Sequence, residues 1–161
     1  FKDDYGEYTL LKNKGKYFKE VRCYKDGFRK YIKNNGDIEW NLNKELHSPS
    51  DDIPAHITYY ENGSISSKSY FINGKRHKEN GLAQIFYEED GSIESEYYFI
   101  NGEQHREDGP AEIVYNEDGS IYLEAYFING EQHREDGPAH IEYYNNLIIR
   151  EKYFIDGFEQ N

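Results

Sequence analysis

The sequence predicts an all-β protein, an elongated antiparallel meander of 28-residue, two-stranded hairpin repeats. First, three sets of residues recur at intervals of 28: Pro54, Leu82, Pro110 and Pro138; Gly63, Gly91 and Gly119; His77, His105 and His133. Second, apolar and polar residues alternate between these markers with the period of a β-strand. Third, no segment of a unit keeps helical spacing over ten residues.

Each unit contains the signals of two strands and two turns. In the unit that begins at Pro110, residues 111–115 alternate as a first strand, and an Asn-Glu-Asp-Gly turn follows in which Gly119 is free to take a positive φ. Residues 121–128 alternate as a second strand. Asn129-Gly130 then provides the strongest short hairpin signal. Two strands per unit, joined by tight turns, predict the meander.

Residues 36–161 are predicted to form the repeat array, and residues 1–35 a basic N-terminal β region that caps it. The N-terminal region alternates Gly or Asn turns with short aromatic strands, as more of the same meander would. The last unit is one residue shorter, has Asn145-Asn146 in place of a glycine turn, and ends without a further His-Arg-Glu-Asp-Gly-Pro-Ala run. These departures are those expected of a terminal unit that caps an array.

The charge distribution favours a protein partner over nucleic acid. The formal net charge is −12, of which residues 1–50 contribute +3 and the remaining residues −15. Such an acidic surface repels phosphates, whereas it attracts a basic protein. The lysines of the N-terminal third are predicted to form a solvated face rather than a nucleic-acid site: Lys12, Lys14, Lys16, Lys19, Lys25, Lys30 and Lys33.

The cysteine count and the hydropathy pattern favour a cytoplasmic protein, in the host cytoplasm if it is viral. Cys23 is the single cysteine, so an internal disulfide framework is excluded and a reducing compartment is the simpler interpretation. No apolar run approaches the ~20 residues of a membrane span. The chain begins at Phe1 and contains no methionine, so its true N-terminus is missing and secretion stays compatible with the sequence.

Thirteen residues, Phe-Ile-Asn-Gly-Glu-Gln-His-Arg-Glu-Asp-Gly-Pro-Ala, occur identically at 99–111 and 127–139. We interpret the second half of this run as a structural connector, in which the aspartate accepts hydrogen bonds from following backbone amides and the glycine takes a conformation closed to other residues. The arginine is expected to pair with Glu107 or with an acid of an adjacent unit, and the histidine to bridge to the backbone. The connector residues are His105, Arg106, Asp108, Gly109 and Pro110, with His133, Arg134, Asp136, Gly137 and Pro138.

The same run contains residue types that bind metals or catalyse reactions, but their repetition favours neither role. Equivalent histidines in successive units are expected to lie roughly 10 Å apart, too far to share one zinc ion. A general acid and base need two different environments around one pocket, whereas copies of one motif share one environment. The sequence therefore predicts no enzyme, no metal and no cofactor.

Candidate partner-binding residues lie where the units differ from one another. The residue type differs from unit to unit at the equivalent positions 66, 94 and 122 and at positions 68, 96 and 124. By contrast, isoleucine, tyrosine and phenylalanine recur at other equivalent positions, which we call the spine of the array. Tyrosines on the same strand face provide contact area at little entropic cost. The predicted interface is Tyr70, Glu94, Glu96, Tyr98, Tyr122, Glu124 and Tyr126. The alternative is a second apolar face that strand curvature buries.

The repeated Tyr-Tyr-Glu-Asn-Gly and Tyr-Phe-Ile-Asn-Gly runs, at 59–63 and 70–74 with their copies, resemble MORN-type β-hairpin repeats. The variant of the MORN-type repeat that they resemble is the one found in bacterial antitoxin-like proteins and in phage and giant-virus proteins. The resemblance covers about residues 36–161, although the unit here is longer. It implies binding without a common reaction.

The function expected from charge and resemblance together is non-enzymatic inhibition of a basic partner. That partner is a nucleic-acid enzyme or ribonucleoprotein, and the inhibitor an antitoxin or a phage-encoded anti-defence protein such as an anti-CRISPR. The alternative is a scaffolding module of a virus or cell surface, and an enzyme acting on carbohydrate ranks last. Because an open sheet exposes its edge strands, the chain is expected to be a monomer or an edge-strand dimer.

Overall fold

The computed structural model describes residues 1–11 and 15–160, and this part of the chain is all β, with no helix. Fifteen strands form one antiparallel sheet, and six more form three separate two-stranded hairpins. The predicted all-β antiparallel meander is therefore confirmed. Lys12 and Lys14 of the N-terminal lysine set lie outside the described residues.

The strands up to the first repeat are β1 Lys2–Asp3, β2 Gly6–Leu10, β3 Phe18–Tyr24, β4 Arg29–Lys33, β5 Ile38–Leu42 and β6 Glu45–Leu46. The next two units contain β7 His56–Tyr59, β8 Ile65–Ser69, β9 Phe71–Ile72, β10 Lys75–Arg76, β11 Gln84–Tyr87, β12 Ile93–Tyr97, β13 Phe99–Ile100 and β14 Glu103–Gln104. The last strands are β15 Glu112–Tyr115, β16 Ile121–Ala125, β17 Phe127–Ile128, β18 Glu131–Gln132, β19 His140–Tyr144, β20 Leu147–Ile155 and β21 Phe158–Gln160.

Strands of the large sheet follow one another in space in chain order. The path runs from β1 through β5 to β7 and β8, then through β11, β12, β15, β16, β19 and β20 to β21, while β6 pairs with β5. Each unit thus adds two strands, or roughly 10 Å, to the length of the sheet. The N-terminal strands β1–β4 belong to this same sheet.

Each repeat contains a small hairpin besides the two predicted sheet strands. In the third unit β16 ends at Ala125. The Tyr126 N–H still donates to the Ala139 carbonyl at 2.8 Å, in the register of β16 with β19, but the Tyr126 carbonyl accepts from the His133 N–H of the small hairpin at 3.1 Å. The chain leaves the large sheet there, and β17 turns back into β18 through Asn129 and Gly130, both at positive φ. The predicted Asn-Gly turn is present, but it closes this second hairpin rather than joining strands of the large sheet.

Every unit also carries one β-bulge at the same position. The register shifts by one extra residue opposite Tyr59, Tyr87, Tyr115 and Tyr143. Pairing of Phe86 with Ser95 and of Tyr87 with Ile93 makes Glu94 the extra residue of its unit. Bulges increase the local right-handed twist and re-aim the side chain of the inserted residue.

Backbone hydrogen bonds also join the small hairpins to one another. The Gly130 N–H donates to the Gln104 carbonyl at 2.9 Å, and the Arg106 N–H donates to the Phe127 carbonyl at 3.1 Å. Equivalent bonds recur at the other junctions, as from Gly102 to Arg76. Successive units are therefore bonded both through the large sheet and through the hairpins.

The densest core lies where the N-terminal strands meet the first repeat. Tyr24, Trp40, Ala55 and Phe71 are buried together there. Further along the array most buried side chains are small, although Gln84 and Ile141 are buried as well. Ala83, Ala111 and Ala139 at the start of each unit are completely buried. Because alanine side chains are small, neighbouring segments can approach closely at these unit boundaries.

Candidate partner-binding surface

The connectors between units project carboxylates into solvent. The side chains of Glu107 and Asp108 are 87% and 85% exposed, and those of Glu135 and Asp136 are 87% and 84% exposed. In the first unit, where the run reads His-Lys-Glu-Asn-Gly-Leu-Ala, Glu79 occupies the same place at 77% exposure. A line of exposed carboxylates thus recurs once per unit.

Arg106 contacts three nearby residues, Tyr98, Asp108 and Pro110. Its Nε donates to Asp108 Oδ1 at 2.9 Å, its Nη1 donates to the Pro110 carbonyl at 3.2 Å, and its guanidinium lies 4.1 Å from the Tyr98 ring centroid. The hydrogen bond and charge of Arg106 hold the pKa of Asp108 below its usual value. Arg134, Asp136, Pro138 and Tyr126 repeat the arrangement.

The connector differs from three sequence-based expectations. Asp108 accepts from the side chain of Arg106, two residues earlier, rather than from the following backbone amides, and Arg106 pairs with Asp108 rather than Glu107. Gly109 and Gly137 do not take positive φ values. A Cβ at Gly109 would lie 3.0 Å from Arg106 Cζ, so a larger residue there would have to displace the guanidinium by a few tenths of an ångström.

The connector histidine bonds to the backbone of the next unit. The Asn129 N–H donates to His105 Nδ1 at 3.1 Å, and the Asn101 N–H donates to His77 Nδ1 at 3.1 Å. At the ends of the array, Asn73 donates to His47 and Asp156 to His133 at 3.3 and 3.2 Å. In His77 and His105 Nδ1 is the acceptor, whereas Nδ1 of His47 and of His133 also lies 3.1 and 2.8 Å from the side-chain oxygen of Asn73 and of Asp156. Each histidine thus contacts the turn of the following small hairpin.

Replacement of His105 by alanine is expected to lower the free energy of unfolding by about 1 kcal/mol, because the Asn129 N–H loses its acceptor. His105→Asn is the matched control, since its Oδ1 lies where Nδ1 does and accepts the same bond. Urea unfolding followed by circular dichroism measures both. Equal destabilisation by alanine and asparagine would contradict a role for this hydrogen bond.

A groove lies between each pair of neighbouring connectors. The groove between the first two has a volume of about 620 Å³ and includes Tyr98, Ile100, His105 and Arg106, while the next, about 590 Å³, includes the equivalent Tyr126, Ile128, His133 and Arg134. Exposed glutamates line both sides of each groove. These two grooves are therefore copies of one another.

The predicted interface residues fall into three settings. Tyr70 is buried, and Tyr98 and Tyr126 are half-buried beneath the connector arginines. Glu94 and Tyr122 are bulge residues and are exposed. Glu96 and Glu124 are half-buried.

Glu96 and Glu124 are engaged with the spine of the next unit. The Tyr115 hydroxyl donates to Glu96 at 2.9 Å and the Tyr143 hydroxyl donates to Glu124 at 2.7 Å. Burial and the carboxylate acceptor raise the pKa of each tyrosine to about 12. In the first unit, where lysine replaces the glutamate, Lys68 Nζ lies 5.4 Å from the Tyr87 ring centroid. The side chain at positions 68, 96 and 124 therefore contacts a tyrosine of the neighbouring unit in all three units.

The exposed glutamates of the connectors, Glu79, Glu107 and Glu135, were not among the predicted interface residues. Because residues 99–111 and 127–139 are identical, the sequence favoured a purely structural interpretation of the whole connector. The signal available in the sequence was that this acid persists in the first unit, where the arginine, aspartate and proline all change.

Comparison with protein-family models and with curated proteins finds no match to this chain. Among the described residues, no group of three or more His, Cys, Asp or Glu side chains is placed to hold a metal ion. That part of the chain also contains no helix long and apolar enough to cross a bilayer.

Proposed function

We propose that this protein is a non-enzymatic binding module that engages a basic protein through its connector carboxylates. The observation that carries the proposal is the line of exposed acids at Glu79, Glu107, Asp108, Glu135 and Asp136, which recurs with each unit. With two sheet strands per unit, successive acids are spaced by roughly 10 Å. A partner with cations at a similar spacing can contact several units at once, so weak contacts add up.

The narrower form of the proposal is inhibition of a nucleic-acid enzyme. Such enzymes bind phosphates in basic clefts, and a regular line of carboxylates offers those clefts a competing row of negative charges. The net charge of −12 and the repeated, equivalent grooves support a binding role over catalysis. An antitoxin and a phage-encoded anti-defence inhibitor are both forms of this proposal.

A scaffolding module is the second candidate. The observation that favours it is the double set of backbone bonds between units, in the large sheet and between the hairpins. These bonds suit a rigid spacer. A spacer does not need the exposed carboxylates, which is why binding is proposed first.

The test is a charge reversal with a matched control inside the same chain. Glu79, Glu107 and Glu135 are changed together to lysine, and the control changes Glu61, Glu89 and Glu117, an equally spaced exposed set at the opposite ends of the same strands. Both triples change the net charge equally. Capture of basic proteins from host lysate, at low and at physiological salt, is expected to fall about tenfold or more for the connector triple only.

The captured protein is then assayed for nuclease or polymerase activity with and without the wild-type chain. Inhibition supports the narrower proposal, and binding without inhibition leaves an adaptor. Equal loss for both triples means unspecific attraction by net charge. Absence of capture at either salt favours the scaffold.

A further inference from the structure

The grooves beside the connectors form a row of three. A smaller groove, of about 250 Å³, lies between residues 47–51 and the first connector, and it precedes the two already described. We call them the first, second and third grooves in chain order. Each is lined by one tyrosine, one isoleucine and one histidine at equivalent positions: Tyr70, Ile72 and His77; Tyr98, Ile100 and His105; Tyr126, Ile128 and His133.

Carboxylates from both neighbouring segments line every groove. They belong to Asp51 and Glu79 in the first groove, to Glu79 and Glu107 in the second, and to Glu107 and Glu135 in the third, and all of these residues are exposed. The third groove contains two arginines and four carboxylates, which is a balance of −2, and both arginines are paired with aspartates of their own connectors. The complementary ligand of each groove is therefore a cation.

The arrangement of apolar and acidic groups favours a long cationic side chain. In the second groove the half-buried Tyr98 and Ile100 lie alongside the exposed carboxylates of Glu79 and Glu107. Lysine and arginine bury an aliphatic stem along apolar surface and keep their charged end in water. Such a side chain places its stem against the isoleucine and its charge between two glutamates.

The spacing of the grooves selects the backbone conformation of the ligand. Two strands per unit separate equivalent residues of successive units by about 9.6 Å. In a polyproline II helix, residues three apart lie on one side and are separated by about 9.3 Å. Residues seven apart on an α-helix are separated by about 10.5 Å. Residues on one face of a β-strand are separated by about 6.6 Å or by about 13 Å.

Over the two intervals between three grooves, these differences add up. The mismatch reaches about 0.6 Å for the polyproline II segment and about 1.8 Å for the α-helix. The helix is also about 10 Å wide with its side chains, whereas the extended segment is slender enough to bring its backbone close to all three grooves. The period of the array therefore favours the polyproline II conformation.

We propose that the three grooves bind an extended basic segment in the polyproline II conformation, with a Lys or Arg at every third residue and one cation in each groove. A seven-residue segment with cations at its first, fourth and seventh positions spans the row. This inference rests on the proposed function, whose basic partner it describes more closely. The partner presents an extended segment to the connectors rather than a folded basic surface.

The test measures the binding of three labelled peptides to the whole chain by fluorescence anisotropy, at low and at physiological salt. Two peptides contain three lysines among prolines in identical composition, with lysine at every third residue in one and at every second residue in the other. Both keep the polyproline II conformation, but only the first presents all its lysines on one side. The third peptide is an α-helix with a lysine at every seventh residue.

The peptide with lysine at every third residue is expected to bind about tenfold or more tightly than its composition-matched control, because its three contacts form together. Its affinity is expected to fall as salt screens the carboxylates.

A neutral substitution in the protein locates the binding site. Glu107→Gln is expected to weaken the binding of the every-third peptide about threefold or more, since Glu107 lines both the second and the third groove. Glu117→Gln removes the same charge from an exposed turn at the opposite end of the strands and is expected to leave the affinity unchanged. Circular dichroism verifies that both variants retain their strands.

Four results would overturn the inference. Equal affinity of the two proline-rich peptides means that the spacing of the cations has no role. Tighter binding of the helical peptide means that a helix occupies the grooves. Absence of binding for all three peptides means that the grooves take no basic segment. Equal losses for Glu107→Gln and Glu117→Gln mean that the peptide binds by net charge alone.

The capture experiment separates these failures from a failure of the proposed function. If capture of basic proteins still depends on the connector triple, the proposed function stands and only the extended segment is wrong. If the connector and control triples lose capture equally, the proposed function is wrong as well.

Discussion

Replacement of Trp40 by alanine is expected to lower the free energy of unfolding by about 3–5 kcal/mol, as truncation of a buried aromatic residue does. Trp40 is 2% exposed, and its ring centroid lies 4.8 Å from that of Tyr5 and 5.2 Å from that of Tyr24. Lys30 Nζ lies 5.1 Å from the indole, and the Lys30 side chain is itself buried against the rings of Tyr5 and Trp40. The substitution opens a cavity and removes one of the rings that face this cation.

The effect is expected to be local, because each unit of a repeat protein contacts mainly its neighbours. Guanidinium unfolding of Trp40→Ala, followed by circular dichroism, should separate into an early transition of the N-terminal strands and a later one of the array. Hydrogen exchange should show faster exchange in β3–β5 and little change around Ile141. Tyr17→Ala removes a highly exposed ring and serves as the control, with a change within about 0.5 kcal/mol. An unchanged unfolding midpoint for Trp40→Ala would contradict the assignment of this cluster as the main core.

Ala111→Leu is expected to destabilise the protein by about 2–3 kcal/mol through overpacking. The side chain of Ala111 is completely buried. Its N–H donates to the Ala125 carbonyl at 2.9 Å, and its carbonyl accepts from the Tyr98 N–H at 2.8 Å. With the backbone held on both sides, a larger side chain has to displace a neighbouring segment.

The repeat supplies the internal comparison for this substitution. Ala83→Leu and Ala139→Leu should give losses similar to that of Ala111→Leu, since these alanines are equally buried. Glu117→Leu, in an exposed turn, is the control and should stay within about 0.5 kcal/mol of the wild type. Thermal unfolding of the four variants measures all of these values. Tolerance of leucine at Ala111 would mean that the unit boundary is more loosely packed than the structure shows.

The connector shows how far the sequence alone could predict the candidate surface. Repetition of the motif indicated that it joins units, and the histidine was expected to reach the backbone. Its partner, the Asn129 N–H, belongs to the next hairpin. The partners of Glu96 and Glu124 were not predictable either, since Tyr115 and Tyr143 lie 19 residues further along the chain. Because the residue type at positions 68, 96 and 124 varies between units, the sequence indicated that these side chains bind a partner. In the structure Glu96 and Glu124 instead accept hydrogen bonds from the neighbouring unit.

The sequence by itself determined the all-β class, the 28-residue period and the positions of the turns. These follow from local chemistry: alternation of apolar residues specifies strands, and glycine or Asn-Gly permits the positive φ values of the turns. Only the tertiary structure decided that the second predicted strand breaks at Tyr126 and that the connector glutamates Glu79, Glu107 and Glu135 are exposed. The break at Tyr126 depends on the His133 N–H, seven residues further along the chain, which alternation within one strand does not encode. Exposure likewise depends on which side chains the neighbouring unit covers, so it is decided by the packing of units against one another.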